Sequence, residues 1–351
     1  MGAVDAGTWA LRLAVGLLSG AVGLYALYKL TTLNQQQEEQ MGRGSGDRQI
    51  EKQNLVHRVS GLKVAGDNRG IADTQQGLVL AKSPDGLEKQ HLQMVLGLLQ
   101  GSSDSCTREL TLVTVGNSAA FTSNQDLIRS LGGLSVVANC LSDEVASVKV
   151  KAMNALNNLS MNVANQEELK IWIPQILEII EATTLNSELQ VAGLRVLTNI
   201  SVTNNYHHMM TNSIPHFLKL LVEGTESIKV QVLKVLVNLS ANPGLTHDLL
   251  YAQVVNMCVN PESSKEATQA PLSFLLLFDS RVNKEVLLRL LIFVANLKEN
   301  LNLLQGSVQY EVESLHSVLF GNPTPFSHKL AMLMLYQDNE VKQQVARIIS
   351  D

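Results

Sequence analysis

Asn117, Asn158, Asn199, Asn238 and Asn296 each close an apolar run, and three of them sit in near-identical text: NALNNLS ending at Ser160, RVLTNIS ending at Ser201 and KVLVNLS ending at Ser240. A carboxamide offers a donor and an acceptor together. A row of them can therefore pair with the amides and carbonyls of an extended backbone, whatever side chains that backbone carries. Helical spacing extends the row. Four residues before the asparagines from Asn158 onward stand Asn154, Arg195, Lys234 and Ile292; seven before stand Lys151, Ala192, Gln231 and Arg289. The charged members of this stripe (Lys151, Arg195, Lys234 and Arg289) are all basic, although the chain carries a formal charge of −5. The chemistry expected is recognition, with asparagines holding a strand in register and cations selecting an extended acidic segment of a protein partner. The same asparagines, close to helix ends, can also cap their own helix or cross-link adjacent repeats, and the spacing leaves both readings open.

Bond-making chemistry has no comparable support. His207 and His208 adjoin in NNYHHMM, where neighbours do not share a helix face and no acidic or cysteine partner stands at ligand spacing. Both are expected in a surface turn, with no metal. Cys106, Cys140 and Cys258 are odd in number and far apart, which gives neither a disulfide framework nor a ligand set. Cys140 and Cys258 lie among apolar neighbours and read as buried. GRGSG at Gly42 to Gly46 has no strand before it and no Lys-Ser or Lys-Thr pair after it, so it reads as linker and not as a phosphate loop. The expectation is a non-enzymatic protein with no cofactor. A net negative chain also argues against a general nucleic-acid binder, which needs a clustered basic surface.

The elements that must position the asparagines are helices. Apolar residues make up 45% of the sequence and aromatics only 4%, with Leu, Val and Ala dominant, which favours helix over sandwich or barrel. The asparagines are spaced by 41, 41, 39 and 58 residues. The first three spacings fit repeated helical units of roughly 40 to 47 residues. The last spacing contains a polar, Pro-bounded insert from Asn260 to Pro271, read as a surface loop. After each asparagine a turn is expected at Asn124, Asn165, Asn204 and Asn205, or Asn242 and Pro243. An apolar helix then follows, as in LGGLSVVANCL, IPQILEII and IPHFLKLL. Before the repeats, an amphipathic helix is expected after SPDG, with Leu87, His91, Met94, Val95, Leu98 and Leu99 on its apolar side. Such units bury their apolar faces only by stacking, which yields a right-handed superhelical solenoid with one long concave surface.

The first thirty residues differ in kind. Leu13 to Tyr28 is sixteen residues without a charge, bracketed by Arg12 and Lys29, and residues 9–30 approach the length that spans a bilayer. Trp9, Tyr25 and Tyr28 suit the interfaces, and Arg12 can snorkel. Residues 1–8 form a short tip, 9–30 a transmembrane signal-anchor, 31–84 a flexible linker and 85–351 the repeat domain. A cleaved secretory signal competes with the anchor. Sugars at the Asn-x-Ser acceptors Asn158, Asn199 and Asn238 would fall on the stacked helices, however, which argues for a cytosolic domain. Gly16 and Gly20 form a G-x-x-x-G on which two anchors can pack as a homodimer.

The texts KAMNALNNLSMNVANQ, GLRVLTNISVTNN and QVLKVLVNLSANP resemble armadillo repeats, and with the anchor the plan is similar to that of the Alex-type armadillo family of the mitochondrial outer membrane. The resemblance covers about Leu87 to Asp351. It implies an all-α fold, extended-peptide binding at Asn158, Asn199 and Asn238, and a cytosol-facing place on the mitochondrial outer membrane. The endoplasmic reticulum membrane is the alternative. It also implies a part in mitochondrial distribution and dynamics through motor adaptors and outer-membrane GTPases. A different reading is regulation of growth and survival by sequestering a transcription factor. Armadillo import adaptors carry Trp four residues before the asparagine; here Asn154, Arg195 and Lys234 stand there, so a basic import signal is not the expected ligand.

Overall fold

The computed structural model describes residues 84–254, 270–303, 309–311, 313–321 and 325–350. The anchor expected at residues 9–30, its Gly16 and Gly20, the linker to residue 83, Cys258 and most of the Asn260–Pro271 insert lie outside the described residues. Ala270 and Pro271, at the end of that insert, already belong to a helix. Among the described residues no helix is long and apolar enough to cross a membrane. The chain divides into Met1–His91 and Leu92–Asp351, and the repeats occupy the second unit.

Helix α1 (Pro84–Gly101) buries Leu92, Val95, Leu96 and Leu99, while Met94 and Leu98 are 46% and 41% exposed. The sequence reading placed Met94 and Leu98 inward and passed over Leu92 and Leu96. QMVLGLL is apolar almost all round, so i, i+3, i+4 spacing fits two faces there, and packing selects the other one.

Helix α2 (Ser105–Ser118) follows, capped by Asp104, whose carboxylate accepts from the Thr107 amide at 2.8 Å. Three-helix units then repeat. The second has α3 (Thr122–Ser130), α4 (Gly133–Asn139) and α5 (Ala146–Leu159); the third has α6 (Val163–Leu169), α7 (Ile173–Ala182) and α8 (Glu188–Ile200). The fourth opens with a 3₁₀ segment, Asn204–Met209, and continues as α9 (Ile214–Glu223) and α10 (Glu226–Ser240). The fifth has α11 (Thr246–Tyr251), α12 (Ala270–Leu275) and α13 (Lys284–Leu303). The sixth has α14 (Leu315–Phe320), α15 (Pro325–Leu333) and α16 (Asn339–Ile349). Pro174 and Pro215 sit at the starts of α7 and α9, where a missing N–H costs nothing.

The last helices form a continuous row: α2 packs on α5, α5 on α8, α8 on α10, α10 on α13 and α13 on α16. Every row helix is apolar on the sides that meet its neighbours. In α10 these are Ile228, Val232, Leu233, Val235, Leu236 and Leu239, all with no exposed surface. Each such side chain contributes about 1.5–3 kcal/mol of transfer free energy, which no unit could gain alone.

The expected turns after the asparagines are mostly helix. Asn124 and Asn165 lie inside α3 and α6 and are buried. Asn124 donates to the Ser118 carbonyl at 3.1 Å, and Asn165 to the Leu159 carbonyl at 3.0 Å. Such short helices carry little periodicity, and their polar residues face the end of the preceding row helix, so the sequence imitates a loop.

Candidate functional site

The row helices bring the sequence-predicted residues onto neighbouring elements. Asn117 lies on α2, Lys151, Asn154 and Asn158 on α5, Arg195 and Asn199 on α8, Lys234 and Asn238 on α10, and Arg289 and Asn296 on α13. Asn117 and Arg195 are exposed; the other eight are half-buried.

Four asparagines reach back to the row helix before their own. Asn158 Nδ2 donates to the Gly116 carbonyl at 2.9 Å. Asn199 Nδ2 donates to the Asn157 carbonyl at 2.8 Å and to Ser160 Oγ at 3.1 Å. Asn238 Nδ2 lies 2.9 Å from Ser201 Oγ and 3.3 Å from the Thr198 carbonyl, and Asn296 Nδ2 lies 3.1 Å from Ser240 Oγ. The donor half of each carboxamide thus satisfies an open carbonyl or hydroxyl at the preceding helix end. The acceptor half differs along the row. Asn157 Nδ2 donates to Asn158 Oδ1 at 3.2 Å, while among the described residues no donor reaches Oδ1 of Asn199 or Asn238.

Arg195, Lys234 and Arg289 lie close enough for their charges to act on one another. Burial lowers the pKa of Lys234, the nearby charges of Arg289 and Arg195 lower it further, and Glu285 acts in opposition. Glu285 is held by Arg289 at 2.9 Å. Among the described residues Arg195 and Lys234 have no carboxylate at ion-pair distance. Three cations on three successive row helices therefore share one partly desolvated strip.

Sequence reasoning missed the residue that ends the strip. In α16 the buried Val341, Val345 and Ile348 repeat the register of Val232, Leu236 and Leu239 in α10, which sets Arg347 at the position of Asn238. Arg347 Nη2 donates to Asn296 Oδ1 at 3.2 Å, and its Nε lies 2.8 Å from Glu299 Oε1. The register of buried valines held that signal; alignment on asparagine alone concealed it.

A second, buried ladder was also missed. Eight residues after the first four asparagines come Gln125, Gln166, His207 and Thr246. Gln125 Nε2 donates to the carbonyls of Ala119 (2.9 Å) and Asn158 (3.0 Å). Gln166 Nε2 donates to those of Ser160 (2.8 Å) and Asn199 (3.2 Å), and its Oε1 accepts from Thr203 Oγ1 at 2.7 Å. His207 Nε2 lies 2.6 Å from the Ser201 carbonyl. Thr246 is too short for the task, so Asn300 of α13 donates to the Ser240 carbonyl at 2.8 Å and the buried Thr246 hydroxyl has no partner among the described residues.

His207 therefore corrects the surface-turn expectation: its side chain is 1% exposed, while His208 is exposed. Two adjacent histidines look solvated in the text because the helix-end carbonyl that one of them caps is not written there. Beside them, the Tyr206 hydroxyl donates to Glu167 Oε2 at 2.7 Å, and burial followed by that carboxylate pushes its pKa up to about 12. Cys140 is buried, as expected, and Cys106 is exposed.

A model of the Armadillo-like family matches residues 87–266 and 254–320. The chain belongs to the armadillo-like family. Solved structures agree in fold. A designed armadillo repeat protein is 16% identical over 73% of this chain and 98% of its own, with a TM-score of 0.56. An engineered protein from a structural genomics consortium is 17% identical over 73% of this chain and 94% of its own, also with a TM-score of 0.56. A designed armadillo repeat protein in complex with the peptide (KR)4 is 15% identical over 73% of this chain and 97% of its own, with a TM-score of 0.54. Armadillo architecture accounts for the three-helix units and the row of last helices.

Proposed function

We propose that this armadillo protein is a non-enzymatic adaptor that binds an extended, acidic segment of a partner protein along its last helices, at a membrane surface. The observation that carries the reading is the convergence of Arg195, Lys234 and Arg289 on three adjacent row helices, where Glu285 is the one opposing carboxylate among the described residues. Helices in contact lie about 8–10 Å apart. An extended chain advances about 3.3 Å per residue. Neighbouring cations therefore address acidic side chains about three residues apart. The Oδ1 atoms of Asn199 and Asn238 supply acceptors for the N–H groups of such a strand. Their Nδ2 atoms are already engaged, so the row reads the strand's N–H groups and not its carbonyls.

The designed relative was captured with a basic (KR)4 peptide. Here the strip carries the opposite charge from what such a peptide needs, so the ligand chemistry is inverted on a shared fold. Placement at a membrane rests on the sixteen uncharged residues from Leu13 to Tyr28, and the Alex-type resemblance points to the cytosolic face of the mitochondrial outer membrane. That resemblance extends the reading to mitochondrial distribution, with motor adaptors or outer-membrane GTPases as partners.

The experiment is photo-crosslinking of a glutamate-rich peptide, carrying one photoreactive residue, to the full-length chain in detergent. Adducts on α8, α10 and α13 are expected. Adducts confined to other helices, or equal labelling by a lysine-arginine peptide, would refute the reading. Protease protection of intact mitochondria tests the placement: the armadillo domain is expected to be digested while the membrane stays sealed, and recovery only with endoplasmic reticulum would redirect it.

A further inference from the structure

The joint between the third and fourth units differs in kind from the two before it. Gln125 and Gln166 close theirs with an amide that cannot titrate near neutrality, and His207 takes the same position in the fourth. Its tautomer is fixed by its neighbours. The Ser201 carbonyl can only accept, so Nε2 bears the hydrogen. Nδ1 faces Asn242 Nδ2 at 3.2 Å. Asn242 Oδ1 accepts from the Gly244 amide at 3.0 Å, which orients the carboxamide so that its NH₂ group donates to Nδ1. A bare Nδ1 is therefore part of the closed joint, and a proton on it would set one donor against another.

We propose that His207 makes this joint proton-sensitive: uptake of a proton at Nδ1 breaks the contact with Asn242 and loosens the Asn204–Met209 segment from the end of α8, while the glutamine-closed joints stay shut. The surroundings offer the charged ring no compensation. Burial lowers its affinity for a proton, and only the Ser201 carbonyl acts the other way. Glu167 on α6 is taken by the Tyr206 hydroxyl and by Lys170, His208 on the same segment and Asp248 on α11 are exposed, and His247 Nδ1 on α11 faces the Tyr310 hydroxyl at 3.2 Å. Above the ordinary histidine value of 6.5, open and closed forms are both neutral and the joint is stable. Below it the open form binds a proton that the closed form refuses, so opening rises by up to about tenfold per pH unit until the closed ring also titrates. Asn238 Nδ2 donates to Ser201 Oγ at the same helix end, which places the joint between two rungs of the asparagine row.

Hydrogen exchange of the full-length chain between about pH 5 and 7.5, corrected for intrinsic rates, tests this. Residues 201–210 and 240–245 are expected to lose protection as the pH falls below about 6.5, relative to residues 160–166 at the Gln166 joint. In His207→Gln the two joints should respond alike. Equal loss at both joints of the natural chain, or an unchanged slope in His207→Gln, overturns the proposal. Asn242→Asp serves as a second variant: its carboxylate keeps the Gly244 contact and accepts from a protonated Nδ1, so this joint should hold at low pH. Continued acid opening in that variant would also overturn it.

Discussion

Asn199 Nδ2 lies 2.8 Å from the carbonyl oxygen of Asn157, forty-two residues back in the chain, so the most regular polar residue of the third unit is anchored in the second. Asn238 stands in the same relation to Ser201 of the third unit, at 2.9 Å. The asparagine row is thus a set of staples between units, and among the described residues no donor reaches the acceptor atoms of Asn199 and Asn238. Stapling and recognition are compatible, because they use opposite ends of one carboxamide.

Removing the staples should be measurable. A net hydrogen bond is worth about 0.5–1.5 kcal/mol, so Asn199→Ala and Asn238→Ala are each expected to cost about 1 kcal/mol, and the pair about 2. Urea unfolding with an unchanged m-value would register this. Loss of cooperativity would instead mean that the staples hold the whole stack in register.

The eighth residue after each asparagine gives mutations of opposite sign. Gln166→Leu leaves the buried helix-end carbonyls of Ser160 and Asn199 open and should cost about 1–3 kcal/mol. Thr246→Val removes a buried hydroxyl that has no partner among the described residues and should be neutral or stabilising by up to about 1 kcal/mol. Thermal denaturation of both variants, side by side, checks the contrast.

Much of this was legible in the sequence, for identifiable reasons. Spacings near forty revealed the units because stacking forces each one to repeat the same apolar face. The row position of Asn158, Asn199 and Asn238 followed from helical periodicity. What stayed hidden depends on contacts between units. His207 reads as solvated until the Ser201 carbonyl is placed beside it. Arg347 reads as a surface cation until the register of α16 is known. Asn124 and Asn165 imitate a turn because their side chains bond helix-end carbonyls six residues back. In α1, near-uniform hydrophobicity left the buried face to be decided by packing.

Two glycines separate crowding from helix propensity. A Cβ at Gly224 would lie 2.5 Å from the Leu220 carbonyl oxygen and 2.6 Å from Ile228 Cγ2, so Gly224→Ala should destabilise by about 1–3 kcal/mol. A Cβ at Gly116 would meet Ala155 Cα at 3.5 Å, an ordinary contact, so Gly116→Ala should stabilise α2 by about 0.5–1 kcal/mol. Unfolding midpoints moving in opposite directions would bear out both packings.

Acid should weaken the whole domain as well as one joint. Burial lowers the proton affinity of His207, His216 and His316, and the buried Nε2 of His216 has no hydrogen-bond partner among the described residues. Folded pKa values below 6.5 mean that the unfolded chain binds more protons. Stability is then full above about pH 6.5 and falls as the pH drops through the window down to the folded values. Urea midpoints across pH 5–8 should decline only on the acid side, and a flat profile would contradict these burials.

The most direct measurement is binding of a fluorescent glutamate-rich peptide to the full-length chain, by anisotropy, at several salt concentrations. The natural protein is expected to bind it with an affinity that falls as salt rises, and to ignore a lysine-arginine peptide of equal length. Arg195→Glu combined with Lys234→Glu should abolish acidic-peptide binding while leaving the helical circular dichroism spectrum intact. Undiminished binding by that folded double variant, or preference for the basic peptide, would contradict the account.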